Sequence, residues 1–598
     1  MKSKIGHITL SCCIGLLLCT VFAMNPYIED GLLMGKFFWF HTTVFSLAIF
    51  NFISVVWIKW YKRPTFDWAD GLVLLFALLT LLTYKWTLNP DPEKLLFIGQ
   101  CVILWFLLKT ISSQWENFAR LSFTVIIVVG IVEALCGVCQ LYGLIESHHP
   151  QFKLVGTFYN PGPFSGYLAV ILPLSVDLIL QYRKTSLRGK QSYLYYAAWI
   201  YCVLAIILLP AGMSRTAWIA ALVSCGWVYW QRKVEYKVIK SYICRFRLRV
   251  LIISIIGLGL VTSLVVGAYW LKKDSADGRL LLWKITEKII MQHPWTGTGL
   301  GGFRSAYAET QMRYFSSGDA TETEQKVAEL PNFAFNDMMQ IGAEQGIATM
   351  VIFASLVGFT IYRGYRNRQI GTVGSIISFA IFSMASYPLH FPEFWSLLIV
   401  LFMIAHYKHS KISVSCKQTK GVMAFSFILV IACLTCFYPA IQYYSHYKEW
   451  RLAKVLHNNG QYMQSDKLYR NLAEQLRHRP ELLSEVALCE SKNQQHTKAN
   501  ILLYRAMALC ADPEYYYIAA QNEQKLGNYV QAERLLKQIS QMLPNRIYPY
   551  YLLAKLYACS EYRHPDKLEE MKRIVLTKKP KVMSTAIRQM REEVESLE

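Results

Sequence analysis

Long apolar stretches alternate with short polar ones over roughly the first 440 residues of the chain. A helix needs about 20 consecutive apolar residues to cross a bilayer. Thirteen stretches meet or approach this length: 5–24, 36–58, 68–85, 94–112, 119–143, 163–182, 193–211, 214–231, 248–271, 346–365, 370–388, 392–408 and 420–441. The pattern predicts an all-α, polytopic membrane protein of about thirteen transmembrane helices.

Two polar regions interrupt this alternation. A hydrophilic insert at about 272–345 follows the ninth stretch, and in the tail at 444–598 apolar residues recur every three or four positions. That spacing indicates amphipathic helices. Within the tail, Gly460 and Gly527, each two residues before a tyrosine, lie 67 residues apart, close to twice the 34-residue tetratricopeptide period. We predict a transmembrane domain over 1–443 and a tetratricopeptide-like domain over 444–598, with a plain helical bundle as the alternative for the tail.

The apolar pattern changes the interpretation of the net charge of the chain. A net charge of +22 would suggest nucleic acid as the partner of a soluble protein, but 54% of this chain is hydrophobic and 17% charged. The basic residues concentrate in alternate loops: 59–63, 109–120, 182–190, 231–249, 362–368 and 406–420. The positive-inside rule places these loops in the cytoplasm. The insert and the tail then lie outside, and no nucleic-acid partner is expected.

Two arginines stand out on the predicted outer side. Arg215 opens the eighth stretch, where its charge opposes both the orientation rule and the helix dipole. A phosphate ligand would offset both costs, because a guanidinium binds phosphate with two parallel hydrogen bonds; snorkelling to lipid headgroups is the alternative. Arg279 lies in the insert, four residues before Trp283 on a predicted amphipathic helix.

Further polar candidates lie on the same side. Asn336, Asp337, Gln340 and Glu344 share one face of the helix that closes the insert, which favours a cavity wall over an exposed first turn. The remaining candidates are Asn160 in the GTFYNPGPF segment, His390 and Glu393 in the YPLHFPEFW turn, and the intramembrane Glu133. His390 and Glu393 are possible bases, although an isolated loop histidine is often merely solvated. The fifteen cysteines show no metal-ligand spacing, so no metal site is expected.

In order along residues 120–405, these motifs resemble the O-antigen ligase/polymerase superfamily of lipid-linked-glycan transferases. The matching pieces are GTFYNP, SR-x-A-W, R-x-x-x-W followed by P-x-x-G-x-G-x-x-x-F, N-D-x-x-Q-x-x-x-E-x-G, and PLH. The resemblance implies that Arg215 and Arg279 bind the diphosphate of an undecaprenyl-diphosphate glycan. Asn160, Asn336 and Gln340 are further candidates for substrate binding. The position of the family's loop histidine is Phe335 here, so His390, Glu344 or Asp337 would take the role of base.

The resemblance implies a metal- and cofactor-independent membrane glycosyltransferase in the bacterial inner membrane. It would transfer a glycan from undecaprenyl diphosphate to lipid A-core or to a protein hydroxyl at the periplasmic face, as in lipopolysaccharide biosynthesis. The tail would suit a protein partner. Two rivals stay open: a polymerase of polysaccharide repeat units, and a non-catalytic transporter or scaffold with a docking tail.

Overall fold

A computed structural model describes residues 2–57, 60–61, 66–85, 90–115, 117–182, 192–233, 273–407, 416–417, 420–580 and 583–597. The helices of the first part are α1 (Lys2–Leu18), α2 (Gly31–Trp57), α3 (Trp68–Lys85), α4 (Pro92–Gln114), α5 (Phe118–Leu141), α6 (Pro161–Tyr182), α7 (Ser192–Ala211) and α8 (Arg215–Lys233). The insert contains α9 (Lys273–Gln292), α10 (Phe303–Ser316) and α11 (Glu322–Val327), and is followed by α12 (Asp337–Arg366), α13 (Ile370–Ser383) and α14 (Pro392–His406).

The last part of the chain is also helical. It consists of α15 (Lys420–Asn458), α16 (Tyr462–Gln475), α17 (Pro480–Lys492), α18 (His496–Leu509), α19 (Pro513–Lys525), α20 (Tyr529–Met542), α21 (Tyr548–Tyr557), α22 (Pro565–Thr577) and α23 (Thr585–Glu595). Apart from short 3-10 turns, the other regular structure in the described ranges is an antiparallel pair, β1 (Trp60–Tyr61) with β2 (Cys416–Lys417). The all-α class is confirmed.

Seven helices within the described residues are long and apolar enough to cross a membrane: α2, α4, α5, α6, α7, α12 and α15. Shorter apolar helices occur at Leu10–Phe22, Trp68–Tyr84, Ile370–Ser383 and Pro392–His406, and α8 coincides with the eighth predicted stretch. The ninth predicted stretch, 248–271, lies outside the described residues. The protein is therefore a multi-pass membrane protein, and the total of thirteen spans stays a prediction.

Ion pairs join the ends of several helices at one end of the bundle, which we call the inner end. Asp67, just before α3, lies 3.5 Å from Lys109 of α4, 3.7 Å from Arg363 of α12 and 3.2 Å from His406 of α14. A second acid, Asp177 of α6, accepts hydrogen bonds from Arg232 of α8 at 3.0 Å and from the start of α13. These are helix ends that the basic loops predict to share one side. We call the opposite end, which carries the insert, the outer end.

The insert packs as a small helical unit against the kink of α12. A buried cluster joins α9 and α10 through Leu281, Ile285, Ile289, Phe303 and Tyr307. The glycine-rich turn after α9 runs along α12, where the amide of Thr298 donates to Ala343 at 2.8 Å. A Cβ on Gly297, which has a φ of 65°, would lie 2.3 Å from the Glu344 backbone. These glycines therefore allow the turn to approach another helix closely.

The tail is a stack of helical hairpins with a regular turn. Gly460, Gln494 and Gly527, at intervals of 34 and 33 residues, each adopt a left-handed φ, of 78°, 61° and 78°. The helices that follow these turns are α16, α18 and α20. The middle turn uses glutamine, which explains why its repeat is hard to see in the sequence. The helix α15 continues without a break across the predicted boundary at 443/444 and forms the first arm of the stack.

The tail packs on the insert and on the outer end of the bundle. Gln311 of α10 donates to the carbonyl of Met542 at 2.8 Å, and Arg304 pairs with Glu481 at 2.8 Å. On the bundle, Glu29 pairs with Lys454 at 2.7 Å. The insert and the tail therefore lie at the same end of the bundle, as the alternation of loops predicts.

Candidate functional site

The two predicted arginines lie near each other at the outer end. Arg215 begins α8 after a tight turn, in which Gly212 is so close to α6 that a Cβ would lie 2.2 Å from the Ser165 hydroxyl oxygen. Arg279 lies on α9 and donates from Nη1 to the carbonyl of Ala385 at 3.0 Å. Burial, and next to it the positive charge of Arg215, lower the pKa of the Arg279 guanidinium below its ordinary value. Two residues 64 positions apart thus contribute like charges to one site.

Asn160 belongs to the same site through a residue that the sequence analysis did not select. Its amide donates to the hydroxyl of Tyr387 at 3.1 Å. The Tyr387 ring stacks on Phe333 with a centroid separation of 4.7 Å and meets the edge of Phe335 at 4.9 Å. Tyr387 therefore connects the segment before α6 with the end of the insert, although nothing in the YPLHFPEFW pattern favours it over its neighbours.

Phe335, where the resemblance places the family's histidine, faces Arg279. The Arg279 guanidinium lies 5.4 Å from the centre of its ring, which is cation–π distance. Phe335 has a φ of 49°, a left-handed conformation that bulky residues rarely adopt. A phenyl ring cannot accept a proton, so a base for this site has to come from another residue.

His390 lies on the other side of this aromatic group. It ends the 3-10 turn Pro388–His390, and its ring centre is 4.2 Å from that of Phe333. Two hydrogen bonds hold the turn: Trp395 donates to the Leu389 carbonyl at 2.7 Å, and the Leu389 amide donates to Asp337 at 3.2 Å. Burial, followed by the nearby charge of Lys94, keeps the pKa of His390 well below its ordinary value. The imidazole is consequently neutral at physiological pH, the form in which one ring nitrogen has a free lone pair.

The polar face of α12 lies next to His390 and is satisfied within the protein. Asn336 caps the helix by accepting from the amides of Met338 and Met339. Gln340 donates to Glu344 at 2.7 Å and accepts from the Ala334 amide at 2.7 Å. Glu344 also accepts from Gly301 at 3.1 Å and lies 3.6 Å from Lys94. These side chains therefore fasten the insert to α12.

Part of this polar face also borders open space. Asp337, Gln340, Glu344 and His390 line a cavity of about 100 Å³ within the bundle. A larger cavity of about 560 Å³, between the bundle and the tail, is lined by Glu344 and His390 as well. Lys94 lines both cavities and is a second residue that the sequence analysis did not select. Its position in the PEK segment at the start of an apolar stretch was the available signal.

The two remaining acidic candidates are engaged inside the bundle. Glu393 pairs with Lys36 of α2 at 2.7 Å, and both side chains are almost completely buried. Glu133 accepts from the backbone amide of Thr157 at 2.9 Å and so holds the segment before α6 in place. Gly156 is needed there, since a Cβ at that position would lie 2.1 Å from a Glu133 carboxylate oxygen. Both acids position elements around the site.

Comparison with known proteins supports one family. Residues 200–354 match a family model, Wzy_C, described as O-antigen ligase. The match includes Arg215, Arg279 and the polar face of α12, and it ends before His390 and the tail. The resemblance to O-antigen ligases is thereby confirmed over this segment. It supports a membrane glycan-transferring function of the ligase or polymerase kind.

The search of curated proteins finds no match. Among solved structures, the chain aligns with one titled "Crystal structure of APC/C hetero-tetramer Cut9-Hcn1", at 11% identity and a TM-score of 0.22, over 94% of this chain and 90% of that one. No conclusion about fold or function is drawn from that alignment.

Proposed function

We propose that the protein transfers a glycan from undecaprenyl diphosphate to an acceptor hydroxyl at the periplasmic face of the bacterial inner membrane. The observation that carries this proposal is the proximity of Arg215 and Arg279, since burial and, next to it, the positive charge of Arg215 lower the pKa of Arg279. A diphosphate between the two guanidinium groups would replace that repulsion with charge-assisted hydrogen bonds. The O-antigen ligase match over both arginines supports the same ligand.

The chemistry needs a base and a stabilised leaving group. In the proposed step, neutral His390 takes the proton of the acceptor hydroxyl, and the hydroxyl oxygen attacks the anomeric carbon of the glycan. The bond from that carbon to the diphosphate oxygen breaks, and its electron pair stays on the diphosphate. Arg215 and Arg279 stabilise the charge that develops there. Glu344 and Asp337 are the alternative bases.

The aromatic group between the arginines and His390 would hold the transferred sugar. Phe333 and Tyr387 stack with an interplanar angle of 14°, and Asn160 hydrogen-bonds to the Tyr387 hydroxyl. Aromatic faces pack against the C–H faces of sugars, and amide and hydroxyl groups bond to their hydroxyls. The site would thus present the diphosphate on one side of the sugar and the base on the other. In this proposal Asn336 and Gln340 assist by keeping Phe335 and Glu344 in place.

Deletion of the gene, followed by mass spectrometry of glycolipids and glycoproteins, tests the proposal. We expect one glycosylated product to disappear and the undecaprenyl-linked glycan to accumulate at its normal length. Accumulation of single repeat units instead would indicate a polymerase. An unchanged profile of both products and carrier-linked glycans would contradict glycan transfer altogether.

A further inference from the structure

The 560 Å³ cavity has walls from two parts of the chain. His390, Lys94 and Phe333 line it on the side of the bundle and insert, while Arg479 and Glu485 line it on the side of the tail. The candidate base therefore faces a space that the tail helps to enclose. A tail whose only role was to bind another protein would not need to line this cavity.

Buried ion pairs keep the tail in place over the cavity. Glu93, at the start of α4, accepts from His478 at 2.6 Å and from Arg479 at 2.9 Å. Tyr447 of α15 donates to the same carboxylate at 3.2 Å. The Glu93 and His478 side chains are 14% and 6% exposed, so this contact is removed from solvent. Separating it would leave charges unpaired in a poorly solvated position, which is costly. The tail wall is therefore a fixed part of the cavity.

The lining of the cavity differs in charge from the rest of the chain. It contains seven carboxylates and four Lys or Arg side chains, a net charge of −3 with the histidines neutral, whereas the whole chain carries +22. Aromatic side chains, among them Tyr443, Tyr447 and Trp450, line the same space. Carboxylates accept hydrogen bonds from hydroxyl groups, and aromatic faces pack against sugar rings. Such a lining disfavours anionic ligands and suits an uncharged, hydroxyl-rich one.

We propose that the tail forms one wall of the acceptor site, and that this site takes an uncharged sugar of an acceptor glycan on its way to His390. This inference rests on the proposed glycan transfer. Asp30 and Glu485, one from each side of the cavity, are specificity-determining residues in this proposal. The Asp30 carboxylate would accept hydrogen bonds from acceptor hydroxyls. Glu485 accepts from the Trp450 indole at 2.8 Å and pairs with Lys454 at 2.9 Å, and its remaining acceptor positions would serve the same purpose. The donor is bound at Arg215 and Arg279.

The experiment uses full-length protein and the double variant Asp30→Asn, Glu485→Gln. In the deletion strain we expect it to restore no more than about a tenth of wild-type transfer, at equal expression. Purified in nanodiscs, it should bind undecaprenyl-diphosphate glycan with wild-type affinity. Glu474→Gln is the matched control, because Glu474 is a tail carboxylate that pairs with Arg505 and is 73% exposed. It should transfer as the wild type does.

The outcomes separate the two proposals. Wild-type transfer by the double variant, or loss of donor affinity together with transfer, would overturn the acceptor wall and leave glycan transfer standing. Absence of donor binding and transfer in the wild-type protein would overturn glycan transfer itself and the acceptor wall with it. The mass spectra also identify the residue to which the glycan is joined. A phosphorylated sugar or an amino-acid side chain there would overturn the uncharged acceptor sugar.

Discussion

The two ends of the bundle use the same charged residue types in opposite ways. At the inner end, Asp67 and Asp70 face Lys109, and Asp177 faces Arg232. At the outer end, Arg215 and Arg279 face each other closely enough for one to lower the pKa of the other. The pairs of opposite charge at the inner end are explained by a structural role, because each pair joins two helices. Like charges held near each other are costly to the fold, and therefore point to a ligand.

The interface with the tail follows the inner-end pattern. Glu93 meets His478 and Arg479, and Glu29 meets Lys454, so both of these acids have basic partners. This contrast separates structural charges from candidate functional ones within the same outer end. It also yields experiments in which the two classes should respond differently.

The largest effect is expected from Arg215→Ala, Arg279→Ala. Each charge-assisted hydrogen bond contributes about 1.5–3 kcal/mol, so the double variant should lose glycan transfer by roughly 10²- to 10⁴-fold. Its melting temperature should fall less than that of the control below, since the change removes a repulsion as well as the Arg279 contacts with Ala385 and Phe335. The inner-end double variant Arg232→Ala, Arg363→Ala is the matched control and should lose stability while keeping donor affinity. Wild-type transfer by the outer-end variant, at wild-type expression, would rule out the diphosphate site.

Asp70→Asn should have the opposite effect to the outer-end double variant: a loss of stability with normal donor affinity. Asp70 is 1% exposed, accepts from the Trp105 indole at 2.8 Å and contacts the Lys109 ammonium group. Breaking a buried pair costs about 3 kcal/mol at the lower end of its range. We expect the lower end because Asp67 still lies 3.5 Å from Lys109. Thermal unfolding and donor titration in nanodiscs measure both quantities, and weakened donor binding without a lower melting temperature would contradict the assignment.

A smaller effect is expected from Arg279→Lys. Lysine keeps the charge but lacks the planar fork that binds a phosphate with two hydrogen bonds. Losing one such bond should weaken donor binding by at least tenfold. Arg363→Lys provides the comparison, since Arg363 lies 3.7 Å from Asp67, a separation that lysine can also make. If the two lysine variants bind donor equally well, the outer-end arginine acts only as a point charge.

The smallest effect is expected from pH. Burial and Lys94 lower the pKa of His390, so its imidazole is neutral at pH 8 and stays neutral at pH 6. The transfer rate should therefore change little over this range. A histidine of ordinary pKa, about 6.5, would be roughly three-quarters protonated at pH 6 and would lose activity in proportion. The same lowered pKa determines how the stability of the fold depends on pH. The unfolded chain gains this proton below about pH 6.5, so acidification should destabilise the fold. A rate that falls severalfold between pH 7 and pH 6 would contradict a His390 base with a lowered pKa.

Local patterns were sufficient for much of the fold. Apolar stretches predicted the helices, basic loops predicted which helix ends share a side, and Gly460 and Gly527 marked the repeat of the tail. Gln494 shows where this approach fails. It adopts the same left-handed turn with a φ of 61°, but glutamine is not a residue that predicts such a turn. Its conformation is imposed by the hairpins packed on either side.

The candidate site was predicted in part, for a related reason. Arg215 could be selected because a positive charge at a helix start on the outer side conflicts with the orientation rule, and Arg279 because of the R-x-x-x-W motif in the family resemblance. Tyr387 and Lys94 do not break any rule that can be applied to the sequence. Their importance comes from contacts with residues that are distant along the chain. Asn160 reaches Tyr387 across 227 positions, and Lys94 lies 3.6 Å from Glu344. Such contacts depend on how the helices pack and not on any local pattern.

The sequence by itself determined the membrane class, the shared side of the insert and the tail, and the choice of the two arginines. Hydrophobicity and charge act through the solvent, so their effects can be predicted for each segment separately. Only the tertiary structure decided that the arginines meet, that aromatic rings separate them from His390, and that the tail closes a cavity beside that histidine. The buried pair of Glu93 with Arg479 joins residues 386 positions apart. No local pattern encodes which acid will meet which base, since that depends on the relative positions of packed helices.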